Sequence, residues 1–162
     1  MVVFSCNFRT SGTIMTIRSI ALACDHAGFP LKTFLSQVVV DGGHKILDLG
    51  TTSHASVDYP DYGFAMASAL NAGDADRGIL VCGSGIGISI AANRFQTVRA
   101  ALIHDALGAR MARLHNDANV ICLGARMIGE DVAKDCVNIF LNTAFEGGRH
   151  LTRVDKLSQH GA

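Results

Sequence analysis

The stretch Gly78-Ile79-Leu80-Val81-Cys82-Gly83-Ser84-Gly85-Ile86-Gly87-Ile88-Ser89 changes character at its middle. Gly78 to Val81 is a short apolar run, the pattern of a buried strand. Glycines then alternate at 83, 85 and 87, and Ile88-Ser89-Ile90-Ala91-Ala92 reads as the opening of a helix. A glycine-rich turn from strand to helix aims backbone N–H groups into a concave space, and the helix N-terminus adds partial positive charge there. Such a place holds an anion, or an oxyanion that develops only during a reaction. Cys82 sits at its lip, and such a field favours the thiolate form of a cysteine. Two plainer readings stand beside this one: a turn that cradles a nucleotide phosphate, and a buried cysteine that only packs. The dinucleotide fingerprint is not matched, because Ile88 stands where its last glycine belongs. The turn also follows the third expected strand rather than the first.

Outward from this turn, strand-like and helix-like segments alternate. Strands are expected at Ile20 to Cys24, Lys45 to Leu49, Gly78 to Val81, Val98 to His104 and Asn119 to Leu123. Helices are expected at Pro30 to Val40, Asp61 to Asn71, Ile88 to about Arg94, Asp105 to Leu114, Gly129 to Thr143 and Arg149 to Ser158. Pro30 falls early in its helix, where proline is tolerated, and Gly42-Gly43, Gly73 and Gly147-Gly148 act as stops. The alternation predicts an α/β fold: a doubly wound, Rossmann-like, five-stranded parallel sheet with helices on both faces. Ligands of such sheets gather beyond the carboxyl ends of the strands. That rim carries Asp25 and His26 after the first strand, Cys82 after the third and Arg126 after the fifth.

A chain of 162 residues is long enough for one domain with a real core. It is 49% hydrophobic and 17% charged, so it is globular, and its low charge points to surface hidden in an oligomer. Fourteen basic residues balance fourteen acidic ones, which argues against nucleic acid or a membrane surface as partner. No apolar run is long enough to span a bilayer. Met1 to Arg18 reads as a disordered N-terminal extension without an adequate signal-peptide core, and residues 19–162 as a single domain. The five cysteines (Cys6, Cys24, Cys82, Cys122 and Cys136) form no C-x-x-C pair and read as reduced cytosolic thiols. The seven histidines are equally dispersed, so no metal site is expected.

Two further motifs sit outside that rim. His115-Asn116-Asp117 precedes the fifth strand and belongs, within one chain, on the opposite edge of the sheet. It is either a capped turn with a structural histidine or a contribution to a neighbouring subunit's site. Arg149 and Arg153, spaced i and i+4, share a helix face and suit a phosphate, although a lone basic pair is more often a solvated turn. A terminal helix set off by Gly147-Gly148 is also suited to dock on a partner chain.

Taken together, the motifs resemble the B-type ribose-5-phosphate isomerases, in the family that includes galactose-6-phosphate and allose-6-phosphate isomerases. The resemblance rests on Ala23-Cys24-Asp25-His26-Ala27-Gly28, Asp58-Tyr59-Pro60, the run from Val81 to Asn93, Arg113-Leu114-His115-Asn116-Asp117-Ala118-Asn119-Val120, and Phe145-Glu146-Gly147-Gly148-Arg149-His150. It extends from about Ile20 to about Leu157. It implies interconversion of an aldose phosphate and a ketose phosphate through an enediolate, without cofactor or metal. It also implies a cytoplasmic homodimer or tetramer with sites shared between subunits.

On this resemblance Cys82 is the base, Ser84 shuttles a proton between the substrate oxygens, and His115 opens the sugar ring with help from Asp25. The amides of Gly83, Gly85, Ile86 and Gly87 hold the enediolate oxygen. Tyr59 and Asn116 bind hydroxyls, and His26, Arg126, Arg149 and Arg153 grip the phosphate. His115 is then supplied by the neighbouring subunit. The rival readings are an isomerase of a six-carbon sugar phosphate, with substrate size set by the loop Thr51 to Ser56, and a non-catalytic sugar-phosphate-binding module.

Overall fold

The computed structural model describes residues 19–159; the expected N-terminal extension, Met1 to Arg18, and Cys6 within it lie outside the described residues. In chain order the elements are β1 (Ser19–Cys24), α1 (Phe29–Asp41), β2 (Lys45–Asp48), α2 (Tyr59–Ala72), β3 (Arg77–Cys82), α3 (Ile86–Ala92), β4 (Ala100–Leu102), α4 (Ala106–Asn116), β5 (Val120–Gly124) and α5 (Glu130–Asn142). A 3-10 turn at Gly148–His150 leads into α6 (Leu151–Gln159).

The strands form one parallel sheet in the order β2-β1-β3-β5-β4. The expected α/β architecture is therefore present. From β1 the chain crosses toward β2, whereas from β3 it crosses the other way, past the place of β5, to the edge strand β4. β1 and β3 are neighbours whose connections diverge, so the crevice beyond their carboxyl ends is a topological switch point. Asp25 follows one of these strands, and Cys82 ends the other.

Side chains alternate across the sheet as the two-residue strand period requires. Ile20, Leu22, Ile79, Val81, Ile121 and Leu123 join Leu35, Ala109 and Phe140 in the core under α1, α4 and α5. Ala21, Ala23, Leu80, Cys82, Val120 and Cys122 join Met66, Ala67, Ile88 and Ala92 under α2 and α3. The second face uses smaller residues, so α2 and α3 approach closely. A side chain on Gly63 would stand 2.8 Å from the Ala91 Cβ and 3.1 Å from the Ala92 amide nitrogen.

Two segments differ from their expected extents. The expected strand Val98 to His104 keeps ladder geometry only over Ala100–Leu102. Before it, Val98 N donates to Phe95 O and Arg99 N to Asn119 Oδ1, so a turn and a side chain satisfy the backbone instead of the sheet. After it, Asp105 caps α4 by accepting from Gly108 N at 2.8 Å. The last helix begins as a 3-10 turn, with His150 N donating to Gly147 O, so Arg149 precedes α6 itself.

Alanine ordinarily stabilises a helix interior relative to glycine by about 1 kcal/mol. Gly63→Ala should do the reverse, because the backbone of α3 cannot yield to the new methyl: a loss of about 1–3 kcal/mol in urea unfolding is expected. A stabilised variant would show that α2 and α3 are not packed this tightly.

Candidate active site

Beyond the carboxyl ends of β1 and β3 lies a cavity of about 310 Å³ lined by Asp25, Tyr59, Cys82, Gly83, Ser84, Gly87, Arg126 and Met127. Seven of these eight are residues the sequence singled out. Cys82 is only 3% exposed, yet it faces this cavity rather than a sealed interior. Its Sγ accepts the Gly85 N–H at 3.1 Å. A backbone donor aimed at sulfur is suited to an anionic thiolate. Asp25 is buried, with Oδ1 accepting from Gly28 N at 2.9 Å, which fixes the carboxylate above the start of α1.

The turn can follow this path because glycines stand wherever another chain passes. Gly85 has φ +79°, and a side chain there would stand 2.5 Å from Leu102 Cδ1 and 2.9 Å from the Leu123 carbonyl carbon. A Cβ on Gly124 would meet Ser84 O at 2.6 Å, and one on Gly87 would meet the Tyr59 ring at 2.6 Å. Gly87 is thus the seat of the Tyr59 ring, at the first turn of α2. The amides divide by use. Gly85 N–H serves Cys82 Sγ, and Ile86 N–H donates to Ser84 Oγ at 3.2 Å. Gly83, Ser84 and Gly87 line the cavity itself. Arg126 lies over Gly83, and its own N–H donates to Gly83 O. His26 stands aside from the cavity lining, with Nδ1 3.2 Å from both N and O of Val57 in the loop before α2.

His115, Asn116, Arg149 and Arg153 do not line this cavity. α4 runs back along the sheet, so His115 and Asn116 at its end lie toward the amino-terminal edge. Here Arg113 ties the chain after α5 to α4: Nε donates to Thr143 O and Nη1 to Ala118 O, while Glu146 N donates to Leu114 O. The result is a second cluster. The His115 and His150 rings stack at 4.2 Å and 7°. His115 Nε2 is 3.8 Å from Glu146 Oε2, and His150 Nε2 is 4.0 Å from Glu146 Oε1. Arg149 Nε donates to His150 Nε2 at 3.4 Å, and Arg153 Nη1 to Arg149 O at 3.3 Å. Burial of the His150 ring, with His115 beside it, holds its imidazole below the usual range for protonation.

A larger cavity of about 510 Å³, lined by residues including Arg94, Phe95, Arg99, Asn116 and Leu157, has no nucleophile or carboxylate among the described residues that line it. Chemistry rather than size therefore selects the Cys82 cavity. Spacing rules gave no role to Met127, Glu146 or His150. Met127 is an ordinary loop residue by sequence, and the other two become neighbours of His115 only through the ties made by Arg113 and Leu114.

A five-stranded parallel sheet with a cysteine, a carboxylate and a glycine-lined turn at its switch point defines a class of small-molecule-binding α/β proteins. The model of the Ribose/Galactose Isomerase family matches residues 20–157, and the chain belongs to that family. Ribose-5-phosphate isomerase B of Escherichia coli is 42% identical over 142 residues, covering 88% of this chain and 95% of that protein. The structure of ribose-5-phosphate isomerase B from Clostridium thermocellum superposes with TM-score 0.86 at 45% identity, covering 87% of this chain and 95% of that one. The type B enzyme of Trypanosoma brucei gives TM-score 0.86 at 44% identity, covering 89% and 99%. Among the described residues no helix is long and apolar enough to cross a membrane.

The site makes a prediction about thiol reactivity. Burial pushes the Cys24 and Cys136 thiols up to about 11 and raises that of fully enclosed Cys122 as well. Iodoacetamide applied to the native protein should therefore label Cys82 ahead of these three, with mass spectrometry of peptides as the readout. Equal labelling of all four would contradict the placement of Cys82 at a cavity.

Proposed function

We propose that the protein is an aldose–ketose isomerase interconverting ribose 5-phosphate and ribulose 5-phosphate, acting in the cytoplasm as a homodimer whose sites are shared between subunits. The observation that carries this reading is the Cys82 sulfur, held by the Gly85 N–H at 3.1 Å and bordering a cavity with Asp25, Tyr59, Ser84 and Arg126. Family membership and the E. coli, C. thermocellum and T. brucei relatives supply the substrate class.

In the forward direction the Cys82 thiolate takes the proton from C2 of the open-chain aldose. The C–H electron pair becomes the enediolate double bond, and negative charge collects on O1. The amides of Gly83 and Gly87 stabilise that charge; losing one such donor typically costs about 3 kcal/mol of barrier. Ser84 Oγ accepts the Ile86 N–H, which leaves its own proton free to move between O1 and O2. The Cys82 thiol then returns its proton to C1, and the ketose forms with the base regenerated. Tyr59 and Asn116 orient hydroxyls.

Ring opening and the phosphate grip need His115, Arg149 and Arg153, which in a single chain belong to the other edge of the sheet. A two-fold dimer supplies them from the partner, because a self-complementary interface places each chain's second cluster against the other's cavity. Arg126 and His26 complete the grip from the Cys82 side. α6 suits that docking: Leu151 and Leu157 are 51% and 57% exposed, while Val154 is buried. The loop Thr51 to Ser56, bounded by the Val57 contact with His26 and carrying the His54 ring edge-on to Phe29, sets the length of sugar admitted.

Sharing is tested by complementation. Cys82→Ala and His115→Ala should each lower turnover by about 10²–10⁴-fold. Unfolding and refolding them together as an equal mixture should restore about a quarter of wild-type activity, because random pairing leaves half the dimers with one intact site. No recovery would place His115 and Cys82 in the same subunit's site. Arg153→Ala should raise the KM for ribose 5-phosphate by about tenfold or more through loss of a charge-assisted hydrogen bond, with a smaller effect on kcat. An unchanged KM removes Arg153 from the phosphate grip.

A further inference from the structure

We infer that the His115–Glu146–His150 cluster binds a divalent transition ion of the zinc class, and that an ion held there shuts off the isomerase by occupying His115. The ligand atoms of the three residues lie within 4.8 Å of one another. Two imidazole nitrogens and a carboxylate form a donor set that suits zinc, cobalt, nickel or copper rather than magnesium or calcium. Zinc bonds of about 2.1 Å in tetrahedral geometry separate ligand atoms by about 3.4 Å, so the Glu146 contacts shorten by about half an ångström and the widest pair of the cluster, up to 4.8 Å apart, by more.

The rings stack nearly parallel, at 7°, so the part-exposed His115 ring turns out of the stack to bring both lone pairs onto one ion. Both Nε2 atoms face the two oxygens of one carboxylate, at 3.8 and 4.0 Å. His150 Nε2 carries a lone pair, because it accepts the Arg149 Nε–H. Arg149 is exposed and free to swing aside, whereas His150 is buried and fixed. His115 and Glu146 are 37% and 52% exposed in the single chain and face the partner's cavity in the proposed dimer, so an ion enters through that shared cavity, and water fills the fourth position. The neighbouring guanidiniums of Arg149 and Arg153 disfavour a cation, which makes the site a reversible one rather than a permanent structural centre.

The inhibitory half of this inference rests on the ring-opening role proposed for His115; the binding half does not. An ion on His115 Nε2 removes the imidazole that opens the sugar ring and displaces Arg149 from the phosphate. Metal and sugar phosphate therefore compete.

Titration calorimetry of the full chain with zinc chloride, without substrate, should give one ion per chain. Glu146→Gln, at an exposed position where folding is not at stake, and His150→Asn should each weaken binding by about tenfold or more, and Cys82→Ala should leave it unchanged. In steady-state assays zinc should raise the KM for ribose 5-phosphate, with EDTA reversing the effect. Glu146→Gln should need about tenfold more zinc for the same inhibition. Absence of binding, equal binding by wild type and both cluster variants, or loss of binding in Cys82→Ala overturns the site. Binding as described with an unchanged KM upholds the site and contradicts the inhibition, and with it the role of His115.

Discussion

The Gly85 N–H donates to the Cys82 sulfur across 3.1 Å, and the carboxyl edge of the sheet is built so that this contact exists. It requires the chain to turn back within three residues of β3. That turn is available because residue 85 takes φ +79° without a Cβ. It also requires β5 to end close by. Ala125 N donates to Cys82 O and Arg126 N to Gly83 O, while Gly124 passes too near Ser84 O for a side chain. The loop that carries Arg126 over Gly83 is thereby locked to the loop that carries Cys82. A single backbone arrangement positions both the sulfur and the guanidinium.

The same economy appears beneath the site. Small residues on one face of β1, β3 and β5 let α2 and α3 sit close to the sheet, which brings Tyr59, at the head of α2, onto Gly87. Larger residues on the other face support α1, α4 and α5, whose contacts fix the second cluster at the opposite edge. Each face of the sheet thus positions one of the two clusters. Neither cluster contains the full set of groups an isomerase needs, which is why the proposed function requires a symmetric dimer to join them.

Much of this is legible in the sequence because the signals are local. Apolar runs broken by glycines gave the alternation of strands and helices, and the glycines at 83, 85 and 87 marked the turn. Asp25, Ser84 and Arg126 could be set beside Cys82 because each follows a strand whose end belongs at that edge, whereas Tyr59 came only from the family resemblance. What local signals do not carry is the insertion of β5 between β3 and the edge strand β4, since strand order follows from crossovers and packing. The short β4 was also hidden, because side-chain bonds from Asn119 replace its ladder at the start. The neighbourhood of His115, Glu146 and His150 escaped spacing rules for the same reason. Residues 115 and 146 meet through a buried arginine and one backbone bond, and no ligand spacing announces that.

The central claim is that the Cys82 sulfur moves the proton on the sugar carbon. The most direct measurement is exchange of that proton with deuterium oxide in ribose 5-phosphate, followed by NMR for wild type and Cys82→Ala, with substrate binding measured in parallel. Solvent deuterium should enter the sugar with wild type, and exchange should be lost from the variant while binding persists. Exchange at a near-normal rate in Cys82→Ala would contradict that claim.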